Sequence, residues 1–288
     1  MRKRRNDPRA ETARSAMSAP FRPKQSLGQH FLRAPNTARK IAGALHAEAG
    51  DAVVEIGPGD GALTEVLLEK HPGLLALELD QRAVRALRER FPERQHPALD
   101  VREADATETD WPALAQKKGA PLHVIGNLPY NVTSPILFAL LDARSCLAEA
   151  VLTMQKEVAE RLTAEPCTKA YGIPSVLAQL WCAPELCFDV SPHVFSPQPR
   201  VNSAVVRLDF QAETDAAQRV DDDWLRRVVR TAFGKRRKML RNSLRQWTKD
   251  RGIPFPHDDW DRKRPEALAP AELAELARYL RERLDGRA

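Results

Sequence analysis

The sequence predicts an α/β fold built on a parallel sheet, followed by a smaller, mostly helical C-terminal segment. Three observations carry this. From about residue 36, short apolar runs alternate with stretches of helical spacing. Four of those runs each end in a polar, chemically unusual cluster. Beyond about Asp221 the strand-like runs stop and helical spacing takes over. Alternation on this scale indicates βαβ units, with a parallel sheet covered by helices on both faces.

The elements follow in order. "NTARKIAGALHA" has helical spacing, with Asn36 or Thr37 as its cap. "DAVVEIG" is a short apolar run of strand length, and "GALTEVLLEK" returns to helix. "GLLALELD" and "QRAVRALRER" repeat the pair. "LDVREAD" is a weaker third strand, and "PLHVIGNL" a fourth, followed by helical "SPILFALLD". "EAVLTMQ" and "KEVAERLTAE" form the last strand and helix of the series. "SVLAQLWC" is helical. "ELCFDVSPHVFSPQPRVNSAVVRLDF" then reads as two strands around a rigid, proline-rich loop. The polar segment "QAETDAAQRV" marks a boundary, and "PAELAELARYLRERL" is a terminal helix with Pro270 at its start.

Composition narrows the function classes. A hydrophobic content of 43% and a charged content of 29% over 288 residues suit a packed, soluble chain. No apolar run is long enough to span a bilayer. The basic start, "MRKRRNDPRAETARSAM", lacks the apolar core of a secretory signal and is expected to be a flexible leader, residues 1–24. Cys146, Cys167, Cys182 and Cys187 form no C-x-x-C pair and no zinc-finger set, so reduced thiols in the cytoplasm are expected, and no metal.

In an open α/β sheet, ligands bind beyond the carboxyl ends of the strands. There lie "EIGPGDG", "ELD", "EAD" and "GNLPY". Glycines 57, 59 and 61 allow a tight turn and a close backbone approach. Their spacing is neither the dinucleotide G-x-G-x-x-G nor a P-loop. Glu78 is placed to accept both hydroxyls of a ribose, Asp105 to accept from an adenine amino group, and Glu55 stands beside the glycines. Several carboxylates without a neighbouring Arg or Lys suit a cofactor that has no phosphates. S-adenosyl-L-methionine fits, with its ribose, adenine, amino group and sulfonium. The plainer alternative is a set of unrelated surface acids at loop starts.

"NLPY" faces the same crevice. The Asn127 carboxamide oxygen and the Leu128 carbonyl can accept from an exocyclic amino group, Pro129 stiffens the loop, and Tyr130 offers a face to a planar base. Phe195 is a candidate for the other face, with ordinary packing an equal alternative. Two acceptors on an aromatic amine favour a pyramidal, nucleophilic nitrogen and compensate its developing charge. No Ser/His/Asp triad is assigned.

Net charge is +6, and its distribution is telling: from Trp224 to Lys249 basic residues recur with no Asp or Glu between them. Such a patch suits phosphate contact through counterion release, against the alternative of a merely solvated helix face.

Taken together, "QSLGQHFL", "VVEIGPGDGALT", "LELD", "ADA", "IGNLPYNVTSPIL", "MQKEVAERL", "VFSPQPRVNSAVVRL" and "FGKRRKMLRNSL" stand in the order found in one family. The chain resembles the bacterial small-subunit ribosomal RNA adenine N6,N6-dimethyltransferases of the KsgA/RsmA type. The resemblance implies methyl transfer from S-adenosylmethionine to two adjacent adenines in the 3′-terminal hairpin of 16S-type rRNA, within an assembling 30S-type particle, by a cytoplasmic monomer. It implies cofactor contacts at His30, Leu32, Gly57, Glu78, Asp105 and Asn127, with "QSLGQHFL" closing over the cofactor. It implies a Rossmann-like methyltransferase domain, 25–212, and a helical RNA-binding domain, 213–288, carrying Lys235, Arg236, Arg237, Lys238 and Arg241 to the RNA. His30 and Asn202 depart from the Asn and Asp common in the family. Rivals are a large-subunit rRNA adenine methyltransferase of the macrolide-resistance type and a non-catalytic ribosome-assembly factor.

Overall fold

The computed structural model describes residues 28–212, 214–255 and 260–286. The expected leader, 1–24, and the first three residues of "QSLGQHFL" lie outside them.

The elements are β1 (Phe31–Leu32), α1 (Pro35–Ala42), β2 (Ala52–Ile56), α2 (Ala62–Leu68), β3 (Leu75–Glu78), α3 (Gln81–Arg90), β4 (Asp100–Glu103), α4 (Trp111–Lys118), β5 (Leu122–Asn127) and α5 (Thr133–Asp142). They continue with β6 (Leu147–Gln155), α6 (Lys156–Leu162), α7 (Ile173–Trp181), β7 (Ala183–Val190), β8 (Phe195–Ser196) and β9 (Ser203–Asp209). The helices α8 (Asp215–Gln218), α9 (Asp222–Phe233), α10 (Leu240–Lys249) and α11 (Pro270–Leu284) complete the chain.

Seven strands form the main sheet in the order β4-β3-β2-β5-β6-β9-β7. Strands β4, β3, β2, β5 and β6 are mutually parallel, so the βαβ expectation holds for this part. The sheet as a whole is mixed, because β9 runs antiparallel between β6 and β7. The proline-rich connection between β7 and β9 turns the chain back, which a crossover helix would not. Its β8 pairs with β1, Phe195 opposite Leu32, as a separate small ladder.

Both faces of the sheet are covered. Ala52, Val54, Ile56, Val124, Leu152 and Val206 point to one face and pack on α4, α5 and α7. Val53, Ile125, Val151 and Val205 point to the other and meet α1 and α2. Helix α3 covers β3 and β4 through Val84 and Leu87, with Phe91 just past its end. This strict alternation follows the period of two along a strand. Burying one such aliphatic side chain is worth about 1.5–3 kcal/mol.

The apolar cluster runs without a break from the sheet through α7 into α9, α10 and α11. Buried polar groups fasten the same junction. Trp224 Nε1–H donates to the Ala277 carbonyl at 2.8 Å, and Tyr171 Oη–H to that of Leu268 at 2.8 Å. Arg144 forms a bidentate pair with Asp222, and the Arg144 and Arg226 guanidiniums both lie over the Trp181 ring.

Two local expectations are corrected. Helix α1 runs from Pro35 to Ala42 with Ala34 as its cap, two residues before Asn36, and it stops five residues short of the end of "NTARKIAGALHA". Proline's fixed φ starts the helix here, and Asn36 instead accepts from the Arg39 side chain at 3.3 Å. Helix α4 was not expected, because Trp111, Leu114 and Ala115 make too short an apolar stripe. Its start was legible in "DWP": Asp110 accepts from the Ala113 N–H at 3.0 Å, and Pro112 sits in the first turn.

Candidate active site

The sheet order reverses at β2, which lies between β3 and β5. A crevice opens outside the carboxyl ends of strands at such a point. Gly57 follows β2 directly, Glu78 ends β3, Asp105 lies two residues beyond β4, and Asn127 ends β5. The four polar clusters expected at strand ends therefore meet at one edge of the sheet.

The glycine turn is locked into place. Gly59 has φ +59°, and a Cβ there would lie 2.8 Å from the Phe31 ring. Its N–H donates to Glu78 Oε2 at 3.0 Å, while Glu78 Oε1 accepts from the Asp80 N–H at 2.9 Å. Burial raises the Glu78 pKa against these two bonds. Asp105 is held by the N–H and hydroxyl of Thr107, at 2.8 and 2.7 Å.

Glu55 occupies a position where its strand otherwise carries apolar side chains, and it is 1% exposed. Burial pushes its carboxyl up to about 8, with the Thr64 hydroxyl opposing and the charges of Glu78 and Asp60 adding to the rise. Thr64 donates to Glu55 Oε2 at 2.7 Å. Asp60 is raised by burial too, against the opposing charges of Arg33 and Arg90.

Two adjoining cavities fill the crevice, of about 50 and about 250 Å³. Gln29, Gly57, Glu78 and Pro129 wall both. Glu55, His30, Leu32 and Asn127 line the first, and Asp105 and Ile136 the second. Among the described residues, no Lys or Arg lines either one. A wall of acidic side chains and the carboxamides of Gln29, Asn127 and Asn131 fits a cationic, phosphate-free ligand.

Asn127 Nδ2 donates to the His30 carbonyl at 2.9 Å. That bond turns the carboxamide so that Oδ1 remains an acceptor, with no partner among the described residues. His30 Nδ1 lies 2.6 Å from the Pro197 carbonyl, so this nitrogen carries the proton. The His30 and Tyr130 rings lie 5.1 Å apart, and Tyr130 Oη meets Ser203 Oγ at 2.5 Å. Burial raises the Tyr130 hydroxyl, opposed by the Ser203 bond. Leu128 is 2% exposed and its N–H donates to the Thr153 carbonyl at 3.1 Å. The Pro129 carbonyl accepts from the Val132 N–H and the Thr133 hydroxyl, which starts α5.

Phe195 stands apart from these. It is 5% exposed, packs with Leu32, Val190 and Val205, and lines neither cavity. The packing alternative describes its place here, because pairing with β1 turns its side chain inward. Gln29, Thr64 and Ser203 were not singled out from the sequence. The partner of Ser203, Tyr130, lies 73 residues away in the chain, where no spacing signals it.

The basic residues also divide. Lys235, Arg237 and Lys238 are exposed in the turn between α9 and α10 and have no side-chain partner among the described residues. With Lys169 and Arg264 they line an open groove. Arg241 stands 3.8 Å from the Asp261 carboxylate. Arg236 does not fit the expected phosphate contact. Its Nε–H donates to Glu266 at 2.6 Å, and its two terminal nitrogens donate to the Lys169 and Thr168 carbonyls at 3.0 and 2.7 Å.

A model of the ribosomal RNA adenine dimethylase family matches residues 21–257. The chain belongs to this family. It is 61% identical over 264 residues to the ribosomal RNA small subunit methyltransferase A of Salinibacter ruber, covering 92% of this chain and 87% of that one. The protein of the same name from Aromatoleum aromaticum is 41% identical over 261 residues, covering 90% and 94%. Among solved structures, a dimethyladenosine transferase from Plasmodium falciparum superposes with a TM-score of 0.71 at 26% identity, over 86% of this chain and 96% of that one. The 23S rRNA methyltransferase ErmE gives 0.62 at 24% identity, over 85% and 99%, a likeness of fold. The adenine dimethylase family thus has here a Rossmann-like, mostly parallel sheet with an added helical segment.

Proposed function

We propose that this chain dimethylates the N6 amino groups of two adjacent adenines in the 3′-terminal hairpin of small-subunit rRNA, using S-adenosylmethionine. Membership of the adenine dimethylase family makes it an rRNA adenine dimethyltransferase and gives its cofactor class. The observation that carries the chemistry is Asn127, whose carboxamide is fixed by the His30 carbonyl with Oδ1 left to accept.

S-adenosylmethionine supplies, when bound, an electrophilic methyl group. Glu78, Asp105, His30, Leu32, Gly57 and Asn127 would hold it, in a wall that offers no phosphate ligand. The target adenine has to leave its stack to reach the crevice, and Tyr130 offers its ring to the extruded base. Asn127 Oδ1 accepts one hydrogen of the adenine amino group. The Leu128 carbonyl, to which no described residue donates, accepts the other. Together they draw the nitrogen lone pair out of the ring and stabilise charge forming on it. The amino proton becomes acidic as the new bond forms, so no strong base is required beforehand.

The basic turn with Lys235, Arg237 and Lys238 is read as the rRNA-binding surface, recognising shape and phosphates. The substrate would be an assembling small-subunit particle, met by a cytoplasmic monomer. Among the described residues, no helix is long and apolar enough to cross a membrane.

The test is methyl transfer from labelled S-adenosylmethionine into isolated small- and large-subunit particles from cells that lack this protein. Two dimethylated adenines near the small-subunit 3′ end are expected. Label confined to the large subunit, or rRNA binding without transfer, would overturn the proposal.

A further inference from the structure

We propose that Arg236 is a positioning residue: it clamps the basic turn onto the body of the protein and does not itself touch RNA. This rests on reading that turn as the rRNA surface.

Three chain segments meet at this guanidinium. The first is the turn after α9, closed by the Arg236 N–H on the Phe233 carbonyl and the Lys238 N–H on that of Lys235. The second is the loop before α7. Here Cys167 holds a left-handed φ of +66°, Thr168 Oγ1 donates to the Glu165 carbonyl, and the Tyr171 N–H donates to that of Thr168. The third is the single turn Pro265–Ala267 ahead of α11. Glu266 grips both of the other segments, its carboxylate taking Arg236 and its carbonyl accepting the Cys167 N–H at 2.7 Å.

Arg236 completes this junction with a planar fork that meets one carboxylate and two carbonyls at once. A lysine ammonium lacks that geometry. Its side chain is 32% exposed and that of Glu266 24%, so the pair sits behind the surface. Lys235, Arg237 and Lys238 stand exposed on either side of it in the sequence. The six-residue turn has no other side-chain hydrogen bond or ion pair among the described residues, and without Arg236 it would present its charges as a loose cloud. Clamped at its second basic residue, it presents a fixed array, and less ordering has to accompany binding.

The proposal predicts an effect opposite in sign to simple electrostatics. Glu266→Gln removes a negative charge beside the patch. Were Arg236 a phosphate ligand, that change would free it and tighten RNA binding. A clamp requires the reverse: weaker binding, on the order of tenfold.

The experiment measures binding of the small-subunit rRNA hairpin by the full chain across a salt series, with thermal unfolding as the folding control. Glu266→Gln and Arg236→Lys should each weaken binding with the slope of log K against log salt unchanged. Their double variant should be no weaker than either single one. Lys235→Ala, Arg237→Ala and Lys238→Ala should each lower the slope by about 0.7–0.9. Tighter or unchanged binding in Glu266→Gln, or a slope loss of that size in Arg236→Ala, overturns the clamp while leaving the surface assignment intact. If neutralising Lys235, Arg237 and Lys238 together leaves binding and slope unchanged, the surface assignment fails and the proposal fails with it.

Discussion

Glu55→Gln should remove a large part of the pH dependence of stability. Glu55 lies in β2 at 1% exposure, with the Thr64 hydroxyl as its hydrogen-bond donor and two further acids, Glu78 and Asp60, nearby. Its pKa rises from an ordinary 4.5 to about 8, burial being the main cause. The folded chain therefore keeps a proton that the unfolded chain releases. Stability falls as pH rises from about 4.5 to about 8 and levels off above that. At ~1.4 kcal/mol per pH unit, the fall amounts to on the order of 5 kcal/mol. Gln keeps the shape, still accepts from Thr64 and never ionises. Below pH 4.5 the two proteins should differ by a constant, and towards pH 8 the variant should gain steadily on the parent. Urea unfolding of both proteins at pH steps from 4 to 9, without cofactor, measures the difference. Two parallel stability curves would show that Glu55 titrates normally and would refute the burial argument.

Two further changes probe the site and its frame. Asn127→Ala removes both the acceptor at Oδ1 and the bond to the His30 carbonyl; turnover should drop by about 10²–10³, while calorimetry should find cofactor binding weakened but present, and undiminished turnover would contradict the role. Gly126→Ala would set a Cβ 2.7 Å from the Ile56 carbonyl oxygen and 3.1 Å from Leu128 Cδ2, against open space at Gly73; a loss of about 1–3 kcal/mol is expected at 126 and little at 73, read by thermal denaturation.

Much of this protein was legible in the sequence, and the reason is local. Strands β2, β3 and β5 announce themselves as short apolar runs because both faces of a parallel sheet are buried. Their carboxyl ends were visible because each apolar run stops at a polar cluster. Order along the chain then predicted that Gly57, Glu78, Asp105 and Asn127 would share a crevice. Helix α11 was readable to the residue, Pro270–Leu284, from its proline start and apolar stripe.

Tertiary structure decided what depends on partners distant in sequence. The reversal that sets β9 antiparallel to β6 and β7 has no local signature. Phe195 pairs inward because β8 meets β1, some 160 residues earlier in the chain. Asn127 is aimed by a carbonyl 97 residues away, and Glu55 is kept protonated by the burial that packing imposes. In the basic run, Arg236 and Arg237 are neighbours of the same type. One donates to Glu266, Lys169 and Thr168, while the other is exposed, with no side-chain partner among the described residues. The sequence counted charges correctly but could not separate an arginine held by the fold from one left exposed, because that difference lies in which carbonyls the folded chain brings within reach.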